Sequence, residues 1–192
     1  ELGSQQRRML LEMIATQAAR LGQITEAVLL ATQLDRGTLS VEPESVDVGE
    51  LTRATVDAMR PQFPEAAEVD VEVVPGVGTA SAARDRIQQV VVNLVDNAVK
   101  YGGEGPVNVR VEPANGTVRI VVADSGPGIP HAEQQRIFEK FYRSGPSLTR
   151  ASGGTGLGLY ISRELVQRMG GRLDVRSEPG SGATFVVELP RA

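Results

Sequence analysis

Three short stretches of this chain carry residue types that are out of place unless a ligand explains them. The first lies in an apolar, helix-patterned run from Arg84 to Tyr101. At about 100° per residue, Ile87, Val91, Leu94 and Ala98 share one face, and Val92, Val95 and Val99 a second. Between them Asn93, Asn97 and Lys100 line up at i, i+4 and i+7. Asn is a mediocre helix former that prefers caps and turns, so two of them stacked mid-helix beside a Lys ask for a reason. Neutral amide oxygens can ligate a hard cation without neutralising it, and Mg²⁺ characteristically shares its shell between a few protein ligands and substrate phosphates. Lys100 would supply a point charge for the same phosphates. Taken alone, the stripe also admits the reading of a solvated polar face.

The second stretch is a strand-patterned run, Val118 to Ala123, that ends in Asp124-Ser125-Gly126-Pro127-Gly128. A strand delivers a carboxylate at its tip, and two glycines then let the backbone approach a ligand closely. Such an Asp, at the rim of an apolar pocket, could accept the exocyclic amino group of adenine. The segment is also good turn chemistry in its own right. The third stretch, Gly153-Gly154-Thr155-Gly156-Leu157-Gly158-Leu159, runs straight into a helical pattern. Glycine amides leading into a helix N-terminus make an anion site. No Gly-Lys-Ser/Thr is present, so it is not a P-loop, and no strand precedes it as a dinucleotide fingerprint requires.

The elements that must hold these stretches follow from pattern. Gln5 to Asp35 is one long helix, with Leu11, Ile14, Ala18, Leu21, Thr25 and Val28 in the alternating threes and fours of a bundle or coiled-coil seam and Gly37 closing it. Residues 38–46 read as a linker. Asp47 to Glu50 resembles a capping box that opens a helix from Val48 to about Arg60. Val69 to Val74 reads as a strand, Val107 to Val111 and Val118 to Ala123 as a hairpin about Asn115-Gly116, and His131 to Arg143 as a helix. Ser144 to Gly154 is a polar loop, and Leu157 to Met169 a helix ended by Gly170-Gly171. Leu173 to Ser177 and Ala183 to Leu189 form a last hairpin. The fold class is α+β, a two-layer sandwich of a mostly antiparallel sheet with helices on one face, preceded by one long helix.

Composition narrows the chemistry. There is no Cys and a single His, which removes disulfide scaffolds, thiolate nucleophiles and sites that need two imidazoles. The formal net charge is −4 and aromatics are 4%, so neither a footprint for duplex nucleic acid nor a stacking platform for single strands is expected. No apolar run approaches the roughly 18 residues of a membrane-spanning helix, and a cytoplasmic setting is expected. Fifteen of the 21 glycines lie between Gly102 and Gly182, where the candidate ligand loops are.

In this order, the stretches resemble the boxes of sensor histidine kinases. Asn93-Leu-Val-Asp-Asn97-Ala with Lys100-Tyr101 resembles their N box, Asp124-Ser-Gly126-Pro-Gly128 their G1 box, and Phe138-Glu-Lys-Phe-Tyr-Arg143 their F box. Gly154-Thr-Gly156-Leu-Gly158-Leu resembles the G2 box and Gly180-Ser-Gly-Ala-Thr184 the last glycine motif. The resemblance covers about Val46 to Ala192 and implies the Bergerat ATP-binding fold, shared with gyrase and some chaperone ATPases. It implies that Asn97 ligates Mg²⁺ with Asn93 assisting, and that Lys100 holds phosphate. Tyr101 would pack on adenine or ribose, Asp124 would recognise the adenine amino group, and Thr184 would support that recognition. Gly126, Gly128 and Ile129 would line the adenine side; Gly154, Thr155, Gly156, Leu157, Gly158 and Leu159 would face the phosphates. Ile129 to about Gly153 would be a mobile lid over the nucleotide, with Lys140 and Arg143 as phosphate contacts.

The resemblance also makes residues 1–37 the second helix of a dimerisation and phosphoacceptor hairpin. The first helix, with its phosphoacceptor His, is not in this sequence; the sole His131 follows the G1 box. The implied parent transfers the γ-phosphoryl of ATP to a histidine and then to an aspartate on a response-regulator receiver domain. This chain should bind Mg·ATP without phosphorylating itself, and its unpaired seam should seek a second chain. The parent could be anchored in a membrane. Three alternatives differ from this. A mismatch-repair type of ATPase needs a carboxylate where Asn93 stands, and anti-sigma kinases generally lack the F-box lid and leading helix. A pure interaction module would not need Asn97, Asp124 and the G2 glycines.

Overall fold

The computed structural model describes residues 3–64, 67–143 and 154–192. The chain divides into two compact units, Glu1–Leu39 and Ser40–Ala192. The first is a single helix, α1 (Ser4–Asp35). Its end is a Schellman motif: Gly37 takes φ +67°, its N–H reaches Leu34 O, and the Thr38 N–H reaches Gln33 O. The seam side chains Leu11, Ile14 and Leu21 are each at least 60% exposed.

The second unit opens with β1 (Glu44–Asp47) and α2 (Val48–Met59), followed by β2 (Val69–Val73) and β3 (Thr79–Ala82). After α3 (Arg84–Tyr101) come β4 (Val107–Ala114), β5 (Thr117–Ala123), α4 (Gly158–Arg168), β6 (Arg172–Ser177) and β7 (Ala183–Pro190). Five strands form one sheet in the order β2-β4-β5-β7-β6, with β2–β4 parallel and the other pairs antiparallel. The parallel pair needs a crossover, and α3 supplies it.

Strand alternation decides which face is core. Val118, Ile120 and Val122 of β5 are fully buried, as are Val187 and Leu189 of β7. The same condition holds for Ile87, Val90, Val91, Leu94 and Val95 of α3, which lies between α2 and α4 in the helical layer. At roughly 1.5–3 kcal/mol for each fully buried aliphatic side chain, this interface is the main source of stability. The opposite sheet face carries a chain of ion pairs, Glu72–Arg110–Glu112–Arg119–Glu188, across four strands. Its hydrogen bond to Glu188 is the main reason the Arg119 guanidinium is held above its ordinary pKa. These pairs are partly solvated and each contributes about 0–1 kcal/mol; their use is to keep that face wet.

Two expectations are corrected here. Residues 44–46 are not linker: they belong to β1, which pairs antiparallel with β3 in a separate two-stranded sheet. Neither strand has a strong local signal, and each exists because the other is there. His131 to Arg143 is not one helix. It contains two single-turn 3₁₀ segments, His131–Glu133 and Arg136–Phe138, and the chain then extends at Glu139. The burial of Ile137 and Phe138 overrides the local helical tendency. Among the described residues, no helix is long and apolar enough to cross a membrane.

Among the described residues, one buried hydroxyl is left without a partner. Thr52 of α2 is fully buried, and its hydroxyl makes no hydrogen bond, whereas Thr55 bonds back to Leu51 O at 2.7 Å. An unpaired buried hydroxyl costs about 1–3 kcal/mol. Thr52→Val keeps the shape and removes the polar atom, so thermal unfolding should shift upward by about 2–4 °C for each kcal/mol recovered. A lowered midpoint would mean that the hydroxyl has a partner.

Candidate functional site

The C-terminal half of α3 is where the chemistry-bearing stretches meet. Asn93, Asn97 and Tyr101 fall at i, i+4 and i+8 on this helix, on one face. Gly102 follows as its C-cap, and a Cβ there would strike Ala98 O and the Asp124 Cβ. A Cβ on Gly126 would likewise meet Tyr101 O and Gly102 Cα. Only backbone without side chains allows the end of α3 and the turn after β5 to come this close. Gly154 lies against the Tyr101 hydroxyl and Gly158 against the Asn93 carboxamide. The Asp124 turn thus meets the C-terminal end of the helix, and the Gly154–Gly158 loop meets the side chains of Asn93 and Tyr101.

Asp124 is held rather than free. Its Oδ1 accepts the Gly126 N–H at 2.9 Å and the Ala183 N–H at 3.1 Å, while its own N–H donates to Ala183 O. The turn is then stitched to the β6–β7 hairpin. Gly182 N–H donates to Gly126 O and Gly180 N–H to Pro127 O. Ser177 Oγ accepts the Ile129 N–H at 2.8 Å and donates to Gly182 O, and Gln134 Nε2 reaches both Ile129 O and Ser177 O. Ser177 and Gln134 carry no sequence signal for this role, because both act through backbone atoms of distant segments.

Thr184 does not join the group. Ala183 and Phe185 are buried on the helical side of the sheet, so the period of two turns Thr184 to the outer face, opposite Arg176. The residue of this motif that meets Asp124 is Ala183, through its backbone. Thr184 and Arg176 instead line an open depression of about 440 Å³, together with Gln134, Ser177 and Gly182.

The glycine loop meets α4 without a side-chain cap, so the first N–H groups of that helix have no capping oxygen from their own segment. Thr155 Oγ accepts the Leu157 N–H at 3.2 Å, Gly156 takes φ +71°, and buried Leu157 anchors the loop, with Leu159 half-buried after it. Gly156 O accepts the Phe141 N–H at 2.9 Å, which ties the F-box segment to this loop. Phe141 itself sits at φ +62°, the one non-glycine residue in the left-handed region among those described.

The cations expected at phosphate are placed as follows. Lys100 is half-exposed and paired with Asp96 at 2.6 Å, one turn earlier on α3. Lys140 lies over the Tyr160 ring at 4.8 Å, and Arg143 is exposed at the end of the described segment. Arg136 and Arg163 stack on Tyr142 and Phe138. Burial, and then the bond to the Glu133 carboxylate, raise the Tyr142 phenol above its ordinary pKa. Gly153 and the rest of the 144–153 loop lie outside the described residues. Among the described residues, no cluster of three or more His, Asp or Glu side chains could hold a metal by itself. The donor set is amide oxygen, which suits a cation that brings phosphate oxygens with it.

Comparison with known proteins agrees in kind. Residues 82–192 match the family described as histidine kinase-, DNA gyrase B-, and HSP90-like ATPases. The chain is 36% identical over 192 residues to the sensor histidine kinase AruS of Pseudomonas aeruginosa, covering 96% of this chain and 19% of AruS. It is 34% identical over 183 residues to the signal transduction histidine-protein kinase BaeS of Escherichia coli, covering 93% of this chain and 39% of BaeS. Among solved structures, full-length ShkA in complex with AMPPNP superposes with a TM-score of 0.85 at 31% identity, over 100% of this chain and 40% of ShkA. The mycobacterial sensor histidine kinase MprB gives 0.66 at 31% identity, over 77% of this chain and 97% of that one. The chain therefore spans well under half the length of the curated relatives named.

Proposed function

We propose that this chain, which belongs to the family of histidine kinase-, DNA gyrase B- and HSP90-like ATPases, binds Mg·ATP beside α3 and serves as the catalytic ATP-binding part of a sensor histidine kinase. The observation that carries the reading is the convergence on α3. The Asp124 turn closes on Tyr101 and Gly102, and the uncapped start of α4 closes on Asn93. A ligand with an adenine at one end and a triphosphate at the other fits that polarity.

In this reading Asp124 accepts the adenine amino group. Its Oδ1 is already occupied by two backbone N–H groups, so the carboxylate is oriented before the base arrives. Gly126, Gly128 and Ile129 form the backbone wall on that side, and Tyr101 covers the base or ribose. Leu157 and Leu159 support the loop whose amides, with the start of α4, face the phosphates. Asn97 and Asn93 would hold Mg²⁺ through their amide oxygens; the bound ion would neutralise charge on the β- and γ-phosphoryl groups. Lys100 swings from Asp96 to phosphate, an exchange that costs little because an exposed i,i+4 pair contributes only about 0.3–0.5 kcal/mol. Lys140 and Arg143 add charge from the lid.

The parent kinase would pass the γ-phosphoryl to a histidine and then to a receiver-domain aspartate. Residues 1–37 would be one helix of its dimerising hairpin, residues 47–192 its catalytic domain, and the cytoplasm its location. Titration of the chain with ATP, with Mg²⁺ and with EDTA, tests the reading by calorimetry. Saturable binding that tightens with Mg²⁺ is expected, and no binding under either condition would sink it.

A further inference from the structure

The carboxamide of Asn93 sits in a slot on one face of α4. Gly158 and Ser162 stand one turn apart on that helix and so present to the same neighbour. Ser162 is 1% exposed, and its Oγ accepts the Asn93 Nδ2–H at 2.8 Å. A Cβ on Gly158 would collide with Asn93 Oδ1 and lie 2.9 Å from Cγ and 3.1 Å from Nδ2. The oxygen end of the amide therefore rests at the first residue of α4, and the nitrogen end lies one turn deeper.

The two ends of a carboxamide are nearly the same size and opposite in polarity, so a slot that fits one orientation fits the other unless charge decides. The start of α4 decides: it carries the positive end of the helix dipole and has no side-chain cap, which favours oxygen there. The buried Ser162 hydroxyl then holds the inner end, where it accepts the proton of the amide nitrogen. We infer that Ser162 is a positioning residue: it ties the amide nitrogen of Asn93 and so keeps its oxygen at the phosphate-facing end of α4, available to a phosphate-bound divalent cation. The inference rests on the Mg·ATP reading above and adds to it a residue outside the recognisable motifs.

The test is the Mg²⁺-dependent gain in ATP affinity, the ratio of Kd in EDTA to Kd in Mg²⁺, measured by calorimetry on the chain. Ser162→Ala leaves the buried amide nitrogen unpaired and should cut this gain about tenfold, with affinity in EDTA changed far less. Ser162→Thr keeps the hydroxyl and should retain the gain even where its added methyl lowers thermal stability. In an Asn93→Ala background, Ser162→Ala should alter the gain by less than about twofold, since the group it positions is gone. A gain undiminished in Ser162→Ala overturns the inference alone, as does an equal loss in EDTA and in Mg²⁺. A wild-type chain with no gain at all overturns the Mg·ATP reading, and the inference with it.

Discussion

Asp124→Asn should lose roughly 30- to 100-fold in ATP affinity while leaving thermal stability nearly unchanged. The two effects separate because the carboxylate has two jobs on different atoms. Oδ1 accepts the N–H groups of Gly126 and Ala183, and an amide oxygen can do the same. The other oxygen is the one left to receive the adenine amino group, and in Asn it becomes an NH₂. Donor then meets donor, which costs the bond to a charged acceptor and leaves polar groups unpaired in the complex. Asp124→Ala differs in kind: it also strands the two backbone N–H groups, so affinity and unfolding temperature should fall together. Calorimetric titration beside thermal unfolding checks both variants. An Asn variant that binds as tightly as wild type would remove Asp124 from base recognition.

A large stability effect is expected at Gly128. It takes φ +70°, and a Cβ there would run into the carbonyl of Glu178 on the β6–β7 hairpin. The left-handed backbone costs an L-residue about 1–2 kcal/mol, and displacing a packed carbonyl adds about 1–3 kcal/mol. Gly128→Ala should therefore lower the unfolding midpoint by roughly 4–20 °C. Gly180 provides the comparison, because it sits at φ +82° in the same hairpin with nothing within 4 Å of its would-be Cβ. Gly180→Ala should carry the backbone term alone, a drop of about 2–8 °C and smaller than that of Gly128→Ala. Equal drops in the two variants would mean that close approach of turn and hairpin is not what Gly128 provides.

These predictions show how unevenly the site was legible. Helix α3 was readable to its ends, since its faces, its mid-helix Asn pair and the Gly102 stop are all local. The β4–β5 hairpin was equally plain from alternation about Asn115-Gly116. Strands β1 and β3 were not, because four-residue strands gain their identity from each other across more than thirty residues of chain. The segment from His131 to Arg143 misled for the opposite reason: its local tendency is helical, and the burial of Ile137 and Phe138 overrules it.

What the sequence determined by itself was the set of chemical groups and their local frames: amides at helical spacing, a carboxylate at a strand tip, glycines before a helix. Periodicity and turn chemistry act over a few residues, so one strand of text contains them. What only the tertiary structure decided was parity and partnership. Thr184 looked like the natural companion of Asp124, yet the pairing of Ala183 with Asp124 sets the strand's alternation and turns Thr184 outward beside Arg176. Ser162, unremarkable in an amphipathic helix, became the acceptor for Asn93 because two helices pack with Gly158 between them. Such contacts join residues 69 positions apart, and nothing local encodes which face will meet which.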